Sequence, residues 1–456
     1  MKFHFKKKLA FATTLVLALG TVLAACGSND KGGSAPSGTS EASSSGGSGS
    51  PTIVKWWTWQ PAPEQAQRVA DAFNASHDDV QIEFKSMQYN DYVNALKLAV
   101  ISNADDAPDI IALQAGSMLN FYDEYLEDLS PLAESAWGPE WEDRYVELGL
   151  KQLQSGERTT ALPYFVSATG YLWYNKTIFD EHGLQPPTNL EEWKHVNSVL
   201  SAAGITPFIQ GAKEAWIDQD TFIVLANQFG EGKIYQAEAG EIPWTDPSLV
   251  QAMGAWKTMF DEGIMQKGAL GIAHYPDAYD KFAKGEAAMI YNGTWNNSHM
   301  TRTSIEDHKK KYGIDKEYEV VPVLFPDMTG TGVKSKLFGG PDVAFGMYKN
   351  SKNKDAAWKV LEWFSSVESQ TINAKNGKNP AIKEVPLDDS DVLTDFQKQA
   401  LKLQSEQMND VSGKREFLYP ELGTALKDAL DRVATGDKTP EQAMQLVQEA
   451  FDKIKK

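Results

Sequence analysis

The stretch Ile53-Val54-Lys55-Trp56-Trp57-Thr58-Trp59-Gln60-Pro61 decides the fold. Its first residues are β-formers around a single lysine, and Pro61 ends the run because proline cannot donate to a sheet ladder. The period then changes: Ala66, Val69, Ala70 and Phe73 recur at i, i+3, i+4 and i+7, one face of a helix. Val80 to Phe84 reads as a second strand, Tyr92, Leu96 and Ala99 as a second helix, and Asp109-Ile110-Ile111-Ala112-Leu113 as a short buried strand. Strand, helix, strand, helix, strand predicts an α/β fold on a mainly parallel sheet covered on both faces.

The alternation resumes downstream. Tyr171 to Tyr174 reads as a strand, and Thr188-Asn189-Leu190-Glu191 as a capping box that opens a helix carrying Trp193 and Val196. A second box, Thr439-Pro440-Glu441-Gln442, opens a last helix with Ala443, Leu446, Val447, Ala450 and Ile454 on one face. No repeat of solenoid length interrupts this pattern, and the length of the folded part suggests two domains.

Upstream of Pro51 the composition shifts. Gly27 to Ser50 holds seven glycines and nine serines, the make-up of a flexible tether with an end-to-end distance of roughly 25–30 Å. Before it come Lys2, Lys6, Lys7 and Lys8, then an uncharged run from Leu9 to Ala25, the order of a secretory signal. Thr13, Thr14, Gly20 and Thr21 within that run argue against a membrane-spanning helix. It stops at Leu23-Ala24-Ala25-Cys26-Gly27, which resembles the bacterial lipobox, where cleavage precedes the cysteine and its thiol receives the lipid. Residues 1–25 are therefore read as a signal peptide and 26–50 as a lipid-anchored Cys26 plus linker. The alternative is an ordinary secreted protein with a chance cysteine.

Cys26 is the only cysteine in 456 residues, so no disulfide forms within the chain. A domain pair of this size can bury a large core without one. The formal charge of −18 excludes a general nucleic-acid binder, and loss of the lysine-rich signal makes the mature chain more acidic still.

The familiar catalytic signatures are absent: no HExxH, no P-loop and no GxSxG. The seven histidines are scattered with no close pair, which disfavours zinc or another transition metal. Asp388-Asp389-Ser390-Asp391 lacks the glycine and terminal glutamate of an EF-hand and reads as a solvated loop. No cofactor is implied. A carboxylate pair for glycoside hydrolysis is a spatial feature that leaves no local trace.

Aromatic side chains at the ends of elements stand out instead. Three indoles, Trp56, Trp57 and Trp59, fall in four residues just where the first strand should end. Aromatic faces at the carboxyl edge of a sheet are placed to stack on a ligand with apolar C–H faces, as sugars have, while neighbouring amides and carboxylates take its hydroxyls. Core packing is the other reading, expected of at least one of the three. Trp216 in Glu214-Ala215-Trp216-Ile217-Asp218 and Trp295 in Asn292-Gly293-Thr294-Trp295-Asn296-Asn297, where Gly293 permits a turn, are two further platforms.

An ordered series of short motifs spans the mature chain. It comprises Trp57-Thr58-Trp59; Ala107-Pro108-Asp109-Ile110-Ile111; Leu162-Pro163-Tyr164; Tyr174-Asn175-Lys176-Thr177-Ile178-Phe179; Phe282-Ala283-Lys284-Gly285-Glu286; Gly339-Gly340; and Ala356-Ala357-Trp358. In order and spacing this resembles the type 1 extracellular solute-binding proteins, and is distantly similar to the maltose-binding proteins. The resemblance implies a two-lobed fold of the periplasmic-binding-protein kind, each lobe a mainly parallel sheet flanked by helices. Lobe 1 would be 51–166 plus 338–385 and lobe 2 167–337 plus 386–456, with crossings near Val166, Phe338 and Pro386.

It further implies ligand contacts from Trp57, Trp59 and Gln60 at the first strand tip, Gln88 after the second strand, and the loop Gln114 to Ser117, with Gln114 and Gly116. Ser167, Trp216, Trp295 and Asp342 complete the set. Maltose-binding relatives carry an aromatic near the start of the helix after the third crossing; here Leu422-Gly423-Thr424 stands there, and Tyr419 is the nearest ring. The implied function is that of a lipid-anchored, monomeric component of an ABC importer on the outer face of a Gram-positive-type membrane, which captures a sugar or oligosaccharide and hands it to the permease. A glycan-active enzyme, a sugar sensor or adhesin, and an importer component for a non-sugar solute are the alternatives.

Overall fold

The structure, a computed structural model, describes residues 50–454 apart from Glu157. The signal, Cys26 and all but the last residue of the linker lie outside the described residues.

Twelve strands are described: β1 (Thr52–Thr58), β2 (Val80–Ser86), β3 (Ile110–Leu113), β4 (Gln154–Ser155), β5 (Arg158–Thr159), β6 (Leu162–Thr169), β7 (Tyr171–Asn175), β8 (Thr206–Ile209), β9 (Ala287–Asn292), β10 (Val320–Leu324), β11 (Phe338–Met347) and β12 (Asn379–Pro380). They form a six-stranded sheet in the order β12-β6-β11-β3-β1-β2, a four-stranded sheet in the order β10-β7-β9-β8, and a small β4-β5 ribbon.

The opening stretch folds as its pattern dictates. In β1, Val54 and Trp56 are fully buried, and Trp56 meets Phe345 edge-on with centroids 5.4 Å apart. Helices Pro63–Ser76 and Tyr89–Ile101 follow β1 and β2 and bury Ala66, Val69, Ala70, Phe73 and Tyr92, Leu96, Ala99 against the sheet. Asp109 fixes the entry to β3, accepting from Lys55 N at 2.9 Å and from Ser351 Oγ at 2.5 Å.

Both sheets are mixed rather than mainly parallel. β1 pairs in parallel with β2 and β3, and β8 with β9, whereas β11 runs antiparallel to β3 and β6, and β7 antiparallel to β9 and β10. The cause is topological: β6 and β11 carry the chain between the two sheets in opposite directions, so each enters the larger sheet against its neighbours' sense. β6 is followed after Gly170 by β7 in the smaller sheet, and β10 there is followed by β11 in the larger one. Two large cores, one on each sheet, give the molecule its two lobes.

Helix ends differ in detail from the sequence reading. The helix expected after Thr188 is capped by Asn189, whose Oδ1 accepts from Glu192 N at 3.0 Å; Thr188 N instead donates to Glu192 Oε2. The Thr439 box forms as read, with Thr439 Oγ1 and Gln442 Oε1 each accepting the other's backbone N–H. Its helix, Pro440–Ile454, buries Ala443, Met444, Val447 and Phe451. Leu446, Ala450 and Ile454, expected on the apolar face, are only partly buried.

Candidate ligand cleft between the lobes

Asp342 is aimed by a bulge. Along the β11–β6 pair, Pro341 opposes Val166 and Val343 opposes Phe165, so Asp342 is the extra residue on its strand. An unpaired residue of this kind turns its side chain out of the regular alternation, and Pro341 has no ladder donor to lose. Ser167, one residue beyond Val166 on β6, is buried beside it.

The partner of Asp342 comes from the other lobe. The loop between helices Asp395–Gln407 and Pro420–Ala434 carries Arg415, whose Nη1 donates to Asp342 Oδ1 at 2.6 Å. Its Nε donates to both oxygens of Asp220, at 3.0 and 2.9 Å, and Glu416 stands 3.9 Å away. Burial works against the guanidinium's charge, but Asp220, Asp342 and Glu416 outweigh it and hold the Arg415 pKa above its ordinary value. Burial likewise pushes the Asp220 and Glu416 carboxyls upward while Arg415 pulls them back.

The loop touches both lobes through its backbone. Ser412 N donates to Leu337 O at 2.7 Å, Gly339 N to Gly413 O at 2.8 Å, and Ser117 N to Phe417 O at 2.8 Å. Gln219 Nε2 donates to Arg415 O at 3.1 Å, and Leu418 N to Glu238 Oε1 at 2.6 Å.

Two of the expected platforms meet at this charge cluster. The Arg415 guanidinium carbon lies 4.4 Å from the Trp295 ring centroid and 5.5 Å from that of Trp216, within cation–π range. Trp295 Nε1 donates to Asn292 Oδ1 at 2.6 Å and to Tyr275 OH at 3.1 Å, which fixes the plane of the indole. Trp216 and Tyr275 lie almost parallel, 9° apart, with centroids 6.0 Å apart. Gly293 does not serve a left-handed turn, since its φ is −104; a Cβ there would run into the Trp295 ring, so the glycine makes room for the indole.

From lobe 1, Trp59 packs against Tyr89 and Tyr92 with centroids 5.5 and 5.0 Å apart. Tyr89 OH donates to Gln114 Oε1 at 2.8 Å, and Gln114 Nε2 reaches Asp342 Oδ1 at 3.5 Å. Trp59 thus packs behind Tyr89, which reaches Gln114. Gly116 has φ +80, and a Cβ on it would lie 2.7 Å from Glu416 Cβ and 2.8 Å from Phe417 O, so only glycine lets the two lobes meet here. Behind Trp295, the buried Lys378 ammonium donates to the Trp295 carbonyl at 3.1 Å; burial lowers its pKa to about 8.

The remaining expected residues fall elsewhere or contribute less. Trp57 is buried in the core of lobe 1 with the Lys85 ammonium 4.4 Å from its ring centroid. Gln88 is the residue preceding helix Tyr89–Ile101, and its carbonyl accepts from Tyr92 N. Gln60 holds a buried Oε1 without a protein donor among the described residues. Tyr419 precedes helix Pro420–Ala434 and packs against the lobe 2 core.

Arg415, Asp220, Tyr275 and Tyr89 were not anticipated. A signal existed for one of them: Ile217 to Gln228 is buried throughout, and Asp218 and Asp220 are the two acids in that otherwise uncharged run.

Gln114, Gln152, Ser167, Asp342, Arg415 and Glu416 enclose a cavity of about 10 Å³, room for a single water. The side chains gathered here offer indole faces, carboxylates, amides and a hydroxyl. Among the described residues no group of three His, Cys, Asp or Glu could hold a metal ion, and no helix is long and apolar enough to cross a membrane.

Comparison with known proteins places this architecture. The chain is 28% identical over 366 residues to the maltotriose-binding protein of Pyrococcus abyssi, covering 76% of this chain and 70% of that one. It is 22% identical over 440 residues to the galactooligosaccharide-binding protein of Bacillus subtilis, covering 94% and 93%. The maltose-bound MalE3 structure of T. maritima superposes with a TM-score of 0.69 at 19% identity, over 88% of this chain and 100% of that one. The family model described as bacterial extracellular solute-binding protein matches residues 56–371. This chain belongs to the bacterial extracellular solute-binding proteins.

Proposed function

We propose that this protein is the substrate-binding component of an ABC importer, capturing a sugar or oligosaccharide by closure of its two lobes and delivering it to a membrane permease. The observation that carries the reading is the pair Trp216 and Trp295 beside Asp220 and Asp342 in one interlobe cleft. Indole faces suit the C–H faces of a pyranose, and buried carboxylates accept from its hydroxyls. The maltotriose- and galactooligosaccharide-binding relatives support the same ligand class.

We place Trp216, Trp295, Asp342, Gln114 and Ser167 in the ligand site, with Gly116 as the point of closure and Trp59 in support. The site binds without catalysis on this reading, in keeping with relatives that are named as binding proteins. The lobes divide at Val166, Phe338 and Pro386. Cys26 anchors the protein, as a monomer, to the outer face of a Gram-positive-type membrane, within reach of its permease.

The test is thermal stabilisation of the purified protein by a panel of mono- and oligosaccharides, paired with uptake by a strain lacking the gene. Stabilisation by at least one saccharide and loss of its uptake are expected. No stabilisation by any carbohydrate would sink the sugar assignment, and binding with uptake unchanged would point to a sensor instead.

A further inference from the structure

We infer that the cleft selects neutral or amino-bearing saccharides and turns away uronic acids and sugar phosphates, because Arg415 occupies the place a stacked sugar must take. This rests on the sugar reading and adds the substrate class to it.

The guanidinium lies 4.4 Å from the Trp295 ring centroid, at the face a pyranose would use. A ring that stacks there displaces it, and Asp220 and Asp342 then lose the donor that both now share. These residues are 1 and 7% exposed, and a buried carboxylate without a donor is strongly unfavourable. The incoming molecule must therefore bring donors. Sugar hydroxyls do so, and an ammonium on an amino sugar replaces both the hydrogen bonds and the cation–π contact of Arg415.

A ligand carboxylate or phosphate brings acceptors, not donors, to a site already lined by the oxygens of Asp220, Asp342 and Glu416. Lys378, a second cation beside the platform, donates to the Trp295 carbonyl at 3.1 Å. Gln114, Gln152 and Ser167, the uncharged polar side chains of the lining, carry no charge to offset a ligand anion.

The experiment is calorimetric titration of the full-length protein with matched sets. One set is glucose, glucosamine, glucuronate and glucose 6-phosphate; another is galactobiose, chitosan dimer and digalacturonate. In any set that binds, the acidic members are expected at least about tenfold weaker than the neutral or amino member. An acidic member that binds as tightly as its neutral counterpart overturns the inference and leaves the sugar reading standing, since Arg415 would then serve as its partner. If neither set binds but another carbohydrate does, that sugar and its uronate or phosphate counterpart are compared by the same criterion; binding by no carbohydrate overturns both.

Glu416→Gln and Asp342→Asn separate charge from shape. Each is expected to narrow the gap between acidic and neutral ligands, and an unchanged gap in both folded variants overturns the carboxylate origin of the selection. Glu416→Gln, at the edge of the cluster, keeps the test available if Asp342→Asn fails to fold.

Discussion

Arg415 Nη1 donates to Asp342 Oδ1 over 2.6 Å, joining a loop of one lobe to the bulged strand of the other. Both groups are buried, and the same guanidinium serves Asp220. Arg415→Met leaves two carboxylates without their cation, and removal of one partner from a buried ion pair costs about 3–5 kcal/mol. Urea unfolding of the variant at neutral pH should show a loss of that order. A loss below about 1 kcal/mol would mean that the cluster is far more hydrated than its burial indicates.

Lys378 gives a pH dependence of definite sign. Its pKa falls from 10.5 in the unfolded chain to about 8 in the fold through burial, so the fold prefers the neutral amine. The unfolded chain binds the extra proton between those values, and stability due to this group rises as pH climbs from about 8 to 10.5. Below about 8 the burden is constant. Lys378→Met removes it, so the variant's stability relative to wild type should be greatest at pH 7 and shrink toward pH 10.5. The change is up to about 3 kcal/mol. A difference that does not vary across this range would mean the ammonium is solvated.

Gly116 tests closure. Gly116→Ala strains a residue at φ +80 and sets its Cβ against Glu416 and the Phe417 carbonyl. Local strain accounts for about 1–3 kcal/mol, whereas the clash acts only with the lobes together. Sugar affinity should fall by about tenfold or more while small-angle scattering shows a more open molecule. An affinity unchanged from wild type would show that this contact does not limit closure.

The indoles divide by role. Trp295→Ala should weaken sugar binding by about tenfold or more, through lost stacking and buried area. Trp57→Ala should lower stability by about 3–5 kcal/mol and keep affinity within about twofold of wild type. The reverse pattern, measured by calorimetry and thermal unfolding, would return Trp57 to the cleft.

Much of the fold was legible because local periodicity reports it. The strand from Ile53, the helix stripe Ala66 to Phe73 and the buried run Ile110 to Leu113 stand as read. Strand direction did not, because whether β11 lies parallel or antiparallel to β3 is set by the crossings between lobes, not by any window of residues. Trp216, Trp295 and Asp342 were legible as residues out of character with their surroundings, and the structure brings them together. Trp57 and Trp59 were not separable by sequence, since a strand tip alternates its faces and only the neighbours decide which indole is walled in. Arg415 left no local pattern at all. Its role arises from a loop reaching across to a bulge some seventy residues earlier in the chain, between Pro341 and Val343.

Trp295 is held at both ends by different bodies. Its indole N–H is tied to Asn292 at the end of β9, while its carbonyl is gripped by Lys378 from the segment leading into β12 of the larger sheet. Rotation of one lobe against the other therefore pulls the residue between two anchors. In a chain with 13 tryptophans, this one should change its emission whenever the hinge moves, making it a built-in optical gauge of lobe angle that requires no attached dye.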